Sequence, residues 1–281
     1  MVRPHHFASL LLKSASRATD TGDVETVPTL IVVPVRAERA EDIEPFLQTV
    51  VSLRGSAPEA MVLVVDDRSP AQFAQMLGLA SDELDCAYVL QQDGQGPSAA
   101  INVGLTAAKD HGMNACLVAP GLVLDSPGWL NRLTARTGTD GRPAAIAGGA
   151  VIDSTGLIRQ AGYFFSAFRR TWSARLGRVP EVLLDRHTPL LCPVSSELQL
   201  VRKEWIESVG LYDELLDGPH AALDYCLRVA QAGGHCVLEP TVRARGVAVV
   251  DAEPDDDSAD SRRLRLKHAG VSFQQWAPEV V

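Results

Sequence analysis

The first half of the chain alternates between short apolar runs and longer segments with apolar residues at helical spacing. The run TLIVVPV at 29–35 is continuous and rich in β-branched residues, which is typical of a strand buried on both faces. The segment 40–55 instead carries its apolar residues three and four positions apart and ends in Gly55. It therefore predicts an amphipathic helix with a glycine stop.

The same alternation continues to residue 120 and predicts an α/β fold. We expect further strands at 60–67, 86–93 and 115–120, and helices at 71–80 and 97–112. Strands and helices in this order form right-handed βαβ units around a mostly parallel sheet. Ligands bind such sheets beyond the carboxyl ends of the strands, where the sequence places Asp66 and Asp67.

The second half has a different pattern, with shorter extended segments and more turns. We expect extended segments within 144–166, an arginine-rich loop at 167–191, a strand leading into a helix over 195–210, a helix at 220–234 and a strand at 235–240. The helix at 220–234 has an apolar side, and two glycines end it.

These patterns divide the chain into three parts. Residues 1–27 are a polar N-terminal arm, whose short apolar patch is weak as a signal peptide. Residues 28–250 form one domain, and residues 251–281 are an acidic linker followed by a basic tail with interleaved apolar residues. Two interpretations of the tail stay open: a helix that packs back on the domain, and a docking segment for a protein partner.

Composition excludes several classes of function. The 281 residues are 46% hydrophobic, with a formal net charge of −9 and a pI near 5.3. Nucleic-acid binding is not expected, because it needs a basic surface. No membrane span is expected either, because no apolar run reaches ~18 residues. The five cysteines lack metal-site spacing, so we expect buried reduced thiols in a cytoplasmic protein.

Seven stretches follow one another in an order that is more specific than any one of them. They are TLIVVPVRAERAEDIEPFLQTVVSL, VLVVDDRSP, GPSAAINVGLTAAKDHG, LVLDSPGWLNRL, IDSTGLIRQAG, VGLYDELL and ALDYCLRVAQAGGHCVLEP. Together they resemble family 2 glycosyltransferases of the GT-A fold over roughly residues 28–250. The resemblance implies a mixed, mostly parallel sheet flanked by helices. It also implies sugar transfer from a UDP-, GDP- or dTDP-linked donor to a glycan, lipid or protein hydroxyl.

The resemblance implies a nucleotide site at the first two strand ends. Asp67 would contact the base, with Asp66 beside it and Pro34 on the first strand. Asn102, in the family's Asn-x-Gly pattern, and Arg36, a positive charge for the diphosphate, complete the expected nucleotide-binding set. The alternative is that the acids belong to an ordinary exposed turn or helix cap.

The family's metal-binding Asp-x-Asp falls on Ala119-Pro120-Gly121, which offers no side-chain ligand. The sequence therefore predicts no metal site and no requirement for Mg²⁺ or Mn²⁺. Asp125 is an alternative ligand, but its place before Pro127 better suits a helix N-cap. Positive side chains can also neutralise a diphosphate; the candidates are Arg36, Arg68, Arg169 and Arg170.

The family's catalytic Glu-Asp pair falls on Ala221 and Ala222. The candidates for the missing acid–base chemistry are therefore the neighbouring His220, Asp217 and Asp224. For His220, an ordinary place at a helix start is the alternative.

Two functional hypotheses follow. The first is a glycosyltransferase that works by a metal-independent route. The second is a catalytically inactive relative that acts as a binding or assembly module. A dinucleotide-binding oxidoreductase fits poorly, because no G-x-G-x-x-G follows the first strand.

Overall fold

The computed structural model describes residues 27–92, 96–136, 141–166, 171–174, 180–184, 190–246 and 258–271. Several expectations lie outside the described residues: the N-terminal arm up to residue 26, Arg169, Arg170, the acidic linker up to residue 257, and the tail after residue 271. The boundaries proposed for the three parts of the chain therefore stay predictions.

Twelve strands are found in the described part of the chain. They are β1 (Thr29–Val35), β2 (Met61–Asp66), β3 (Ala87–Leu90), β4 (Asn114–Val118), β5 (Leu122–Val123), β6 (Ile146–Ile152), β7 (Ile158–Gln160), β8 (Tyr163–Ser166), β9 (Thr171–Ala174), β10 (Leu190–Leu191), β11 (Leu198–Val201) and β12 (Cys236–Gly246).

The α-helices flank the sheet, and two short 3-10 helices occur at Ala40–Asp42 and Glu181–Leu183. The α-helices are α1 (Ile43–Ser56), α2 (Ala71–Glu83), α3 (Pro97–Asp110), α4 (Trp129–Thr134), α5 (Lys203–Val209), α6 (Gly218–Gln231) and α7 (Ala259–Lys267). No helix within the described ranges is both long and apolar enough to cross a membrane.

The main sheet has the order β10-β12-β6-β11-β4-β1-β2-β3. Strands β4, β1, β2 and β3 pair in parallel, as the alternation of strands and helices predicts. Strand β11 is antiparallel to both β4 and β6 and joins the two halves of the sheet. Each face of the sheet packs on one of two apolar clusters, so the strands of the first half are buried on both sides.

Helix α3 approaches β1 closely at Gly104. A Cβ atom at this position would lie 2.2 Å from a methyl carbon of Val32. Since any Cβ atom would clash at that distance, close packing of α3 on β1 requires glycine at this position of the Asn-x-Gly pattern. This packing fixes the start of α3 beside the carboxyl ends of β1 and β2.

One part of the predicted loop at 167–191 is extended. Strand β9 pairs with β8 as an antiparallel hairpin, with Phe165 opposite Trp172. The loop prediction is wrong there, because aromatic and β-branched residues on facing segments favour strand pairing over an arginine-rich loop. The five cysteines are buried thiols, as expected.

The described part of the C-terminal tail packs on the domain. Helix α7 lies against α6, with His268 Nε2 2.9 Å from Asp224 Oδ1. Lys267 Nζ lies 2.7 Å from Asp213 Oδ2, and the Arg263 guanidinium donates to the carbonyl of Leu215. Of the two interpretations of the tail, these contacts favour the helix that packs back.

Candidate functional site

Asp66, at the carboxyl end of β2, is fully buried and fully engaged. Its carboxylate accepts hydrogen bonds from the backbone N–H of Ser69 at 2.8 Å and from the Tyr88 hydroxyl at 2.6 Å. These contacts hold the turn after β2 against β3. They give Asp66 a role in the scaffold, and a nucleotide contact through it stays a prediction.

Asp67 is also buried, with 4% of its surface exposed, yet it is not satisfied in the same way. Within the described residues, its Oδ1 atom has no hydrogen-bond partner. Its Oδ2 atom lies 4.0 Å from Arg36 Nη1, a guanidinium that also pairs with Glu38 at 2.9 Å. A buried carboxylate oxygen without a partner carries a desolvation cost that a ligand's hydrogen bond can offset.

The backbone next to Asp67 is strained. Arg68 has a φ of 62° and an exposed side chain. The left-handed region costs a residue with a Cβ about 1–2 kcal/mol relative to its ordinary conformation. Such outliers persist where the surroundings impose them, commonly at ligand sites. Pro34, on β1, lies beside this turn and pairs in register with Val65 of β2.

Asn102 links α3 to the turn before α6. Its amide nitrogen donates to the Tyr212 carbonyl at 3.0 Å and to Glu214 Oε1 at 2.9 Å, and its oxygen accepts from the Tyr212 N–H at 2.8 Å. These bonds use the side chain for the scaffold. A nucleotide contact by Asn102 stays a prediction.

Asp217, directly before α6, lies close to the start of α3. Its Oδ1 atom is 3.3 Å from the position of a Cβ built on Gly96, at the start of α3. Its backbone N–H donates to Asp260 of α7 at 3.2 Å. Burial raises the pKa of Asp217, and the charges of Asp260 and Asp67 raise it further. Asp67 and Asp217 therefore belong to one cleft, although they are far apart in the chain.

The start of α6 is apolar where the sequence resemblance led us to look for acids. Ala221 and Ala222 are buried, and His220 beside them is 6% exposed. The missing acids are thus replaced by core-filling methyl groups. His220 is positioned at this helix start, and a role as a base stays a prediction.

Asp224, one turn into the same helix, is saturated with partners. Arg228 Nε at 2.8 Å, Lys267 Nζ at 2.9 Å and His268 Nε2 at 2.9 Å all contact its carboxylate. Burial would raise the pKa of Asp224, but the hydrogen bonds from His268 and Lys267 and the charge of Arg228 hold it at about 2. Asp224 thus fastens α7 to α6, and its use in catalysis stays a prediction.

The turn at 119–121 lies at the carboxyl end of β4. The Ala119 N–H donates to the Glu197 carbonyl at 2.8 Å, and the Gly121 N–H donates to Thr49 Oγ1 at 2.9 Å. Asp125 is exposed, and α4 starts at Trp129 with Gly128 as its N-cap. The predicted N-cap role of Asp125 is therefore wrong, because the chain turns again before the helix begins.

Glu197 is a buried carboxyl group that sequence reasoning missed. It is 8% exposed and sits opposite Ala119, just before β11. Burial raises the pKa of Glu197 to about 7, against the lowering effect of the Arg159 charge. In the sequence it looks like an ordinary polar residue at a strand start. Only the pairing of β11 with β4 brings it to the ligand edge of the sheet.

Comparisons with known proteins bear on the fold. No protein-family model matches the chain, and no curated protein matches it. Among solved structures, GalNAc-T7 with UDP, GalNAc and Mn²⁺ is similar with a TM-score of 0.63 at 17% identity, over 87% of this chain and 48% of that one. The S. aureus protein TarS gives a TM-score of 0.54 at 12% identity, over 88% of this chain and 41% of that one.

A third similar structure is the mannosyltransferase PcManGT from Pyrobaculum calidifontis, in complex with GDP-Man and Mn²⁺. It gives a TM-score of 0.49 at 19% identity, over 94% of this chain and 70% of that one. The chain spans about half the length of the GalNAc-T7 structure and less than half of TarS.

These comparisons correct the expectation that no Mg²⁺ or Mn²⁺ is needed. GalNAc-T7, which shares the fold, was solved with Mn²⁺, so the sequence argument for a metal-free protein is wrong. The error came from inferring the absence of a cofactor from three residues. In the described ranges no group of three His, Cys, Asp or Glu side chains is arranged to hold a metal ion.

The chain has a mixed, mostly parallel sheet with helices on its two faces, and its fold is the GT-A fold of the glycosyltransferase structures that it resembles.

Proposed function

We propose that this chain is a glycosyltransferase that binds a nucleoside-diphosphate sugar in the cleft at the carboxyl ends of β1, β2 and β4. The sugar goes to a hydroxyl group of a glycan, lipid or protein. The observation that carries the proposal is Asp67, whose buried Oδ1 atom has no protein partner among the described residues. A donor N–H or O–H group from a base or ribose meets that need.

The charges around Asp67 suit such a ligand. Arg36 and Arg68 stand on either side of the turn, and a diphosphate carries negative charge toward them. The left-handed backbone of Arg68 supports the same conclusion, since such outliers are common at ligand sites. In this proposal UDP, GDP and dTDP are the candidate nucleotides.

A binding screen tests the proposal. UDP, GDP, dTDP and their sugars are titrated into the protein by calorimetry, with Mn²⁺, with Mg²⁺ and without a metal. We expect one nucleotide class to bind, and Asp67→Asn to weaken that binding while the fold is kept. If no nucleotide binds under any of the three conditions, the proposal fails. An inactive binding module would bind the nucleotide but release no sugar from the donor.

Asp66→Asn is the matched control for this screen. It changes the neighbouring carboxylate in the same way, but removes hydrogen bonds within the protein instead of a contact with a ligand. We expect Asp66→Asn to lower stability more than Asp67→Asn does. Equal loss of affinity in the two variants, at temperatures where both are folded, would contradict a special role for Asp67.

A further inference from the structure

Glu197 lies beside the turn that follows β4, at the carboxyl edge of the parallel strands. Its backbone carbonyl accepts the Ala119 N–H at 2.8 Å, and its own N–H donates to Ser195 Oγ at 3.2 Å. Both hydrogen bonds use the backbone of Glu197, so they hold the residue in place without involving its carboxyl group. That carboxyl group is 8% exposed, and the Arg159 charge acts on it.

The side chain of Glu197 is on the α6 side of the sheet. Side chains alternate along a strand, so Glu197 shares a face with Gln199. Gln199 Nε2 contacts Cys226 Sγ of α6 at 3.9 Å, and the same sulfur lies 3.6 Å from the Val194 carbonyl. Cys226 is one helical turn after Ala222, which puts the two residues on the same side of α6.

We propose that Glu197 accepts the proton of the acceptor hydroxyl during sugar transfer, in place of the acid absent at Ala221 and Ala222. This proposal rests on the proposed function of the chain as a glycosyltransferase. It gives the site a catalytic residue that its sequence patterns do not indicate.

The step balances in atoms and electrons. The acceptor oxygen forms a bond to the anomeric carbon of the donor sugar, and its proton passes to the Glu197 carboxylate. The bond from the anomeric carbon to the diphosphate oxygen breaks, and the leaving nucleoside diphosphate keeps the electron pair. The protonated carboxyl group then returns its proton to solvent.

The surroundings of Glu197 suit a proton acceptor at neutral pH. Its pKa, raised by burial to about 7, is close to the value that favours a general base near pH 7. The groups around it are Arg159 from β7, Tyr163 from β8 and, through Tyr163, Cys226 from α6. Burial, followed by the Glu197 charge, raises the pKa of Tyr163, which therefore stays a neutral phenol.

Hydrolysis of the donor tests the proposal without knowledge of the natural acceptor, since water takes the place of the hydroxyl. Release of nucleoside diphosphate from UDP-, GDP- and dTDP-sugars is measured between pH 5 and 9, with Mn²⁺ or Mg²⁺ present. We expect kcat/KM of the wild type to rise through about pH 7. Glu197→Gln should reduce it about 100-fold with unchanged donor affinity, and the pH dependence near 7 should disappear.

The matched control is Glu239→Gln, which removes a buried carboxylate of β12 that pairs with Arg136 at 2.8 Å. We expect its hydrolysis rate to match the wild type. Carbon-detected NMR of Glu197 gives a second readout, with a pKa near 7 expected.

Three results would overturn the proposal. The Glu197→Gln variant could hydrolyse the donor at the wild-type rate, or Glu197 could titrate with a pKa near its ordinary 4.5. The third is a wild-type protein that binds the donor but never hydrolyses it. In all three the proposed donor binding stands. A chain that binds no donor at all would overturn both proposals together.

Discussion

The end of β2 and the start of α6 lie on one cleft, and the two regions differ in how the protein uses their carboxylates. At β2, Asp66 is saturated by protein donors while the adjacent Asp67 keeps an oxygen without one. At α6, the carboxylate of Asp224 contacts Arg228, Lys267 and His268, and Ala221 and Ala222 lie before it in the helix. Glu197, just before β11, is another buried carboxyl group of that region.

Under the proposed function, hydrogen-bond satisfaction separates scaffold acids from ligand acids better than position in a motif does. Asp66 and Asp67 are consecutive and chemically identical, yet only one of them is available to a ligand. Asp224 occupies a position that the family resemblance marks as functional, but its carboxylate oxygens accept hydrogen bonds that hold α7 against α6. Five substitutions, at Asp224, Glu197, Asp66, Asp67 and Arg68, test this comparison, from the largest expected effect to the smallest.

The largest effect is expected at Asp224. Asp224→Ala removes the carboxylate that Arg228, Lys267 and His268 share. Because removal of one partner breaks a buried charge network, we expect the free energy of unfolding to fall by about 3–5 kcal/mol. Urea unfolding measures the loss. Lys267→Ala, which removes one partly exposed partner, should cost less than about 1 kcal/mol. Similar stabilities of the two variants would show that Asp224 does not fasten α7.

The next effect is the pH dependence that Glu197 gives to stability. In the folded protein this group keeps its proton up to about pH 7, whereas its ordinary pKa is 4.5. The folded state therefore binds the proton more tightly. The contribution of this proton to the free energy of unfolding is therefore fully present below pH 4.5. As the pH rises from 4.5 to 7, the free energy of unfolding falls by about 3 kcal/mol.

Glu197→Gln removes this titration. Urea unfolding of both proteins between pH 4 and 8 is the measurement, and we expect the stability of the variant relative to the wild type to rise over that range. Parallel pH profiles would mean that Glu197 titrates normally in the folded protein.

A smaller effect is expected at the β2 acids. Asp66→Asn alters two buried hydrogen bonds and should lower the free energy of unfolding by about 1–3 kcal/mol. Asp67→Asn should leave stability unchanged but weaken nucleotide binding roughly tenfold, as expected for the loss of one charge-assisted hydrogen bond. Thermal unfolding and calorimetry on the same two samples separate the effects. If Asp66→Asn instead weakened nucleotide binding and Asp67→Asn lowered stability, Asp66 would be the ligand acid and Asp67 the scaffold acid.

The smallest effect is expected at Arg68. Arg68→Gly relieves the left-handed backbone and removes an exposed charge. We expect no loss of stability and a nucleotide affinity lower by about 1 kcal/mol or less. Asp85→Gly is the matched control, because Asp85 also has a positive φ, of 53°, in a turn away from the cleft. Unchanged nucleotide affinity in Arg68→Gly would show that the strain serves no ligand.

Much of the first half of the fold is predictable from sequence, because its signals are local. The apolar run at 29–35 is β1 within the same bounds, and the Pro and Gly that bracket α3 set its limits to within two residues. The site itself is less predictable. Asp67 was found because it ends a buried strand, but its difference from Asp66 depends on Tyr88 and Ser69.

Contacts between distant segments account for what sequence reasoning missed. Glu197 reaches the cleft through the pairing of β11 with β4, and Asp224 is saturated by a helix that begins 35 residues later. Neither the pairing of β11 with β4 nor the contact of α7 with Asp224 produces a pattern of apolar and polar residues that could be recognised in the sequence. The cofactor expectation failed for a related reason, because a short stretch such as Ala119–Gly121 does not report the other ligands that a fold can bring to a metal.

The most direct measurement is a crystal structure with the nucleoside diphosphate that binds best in the screen. We expect the base or ribose to donate a hydrogen bond to Asp67 Oδ1, and the diphosphate to extend past Arg68 toward Ala119 and Glu197. Asp66 and Asp224 should keep their protein partners. A nucleotide bound elsewhere, with Asp67 Oδ1 still lacking a donor, would contradict the division between scaffold acids and ligand acids.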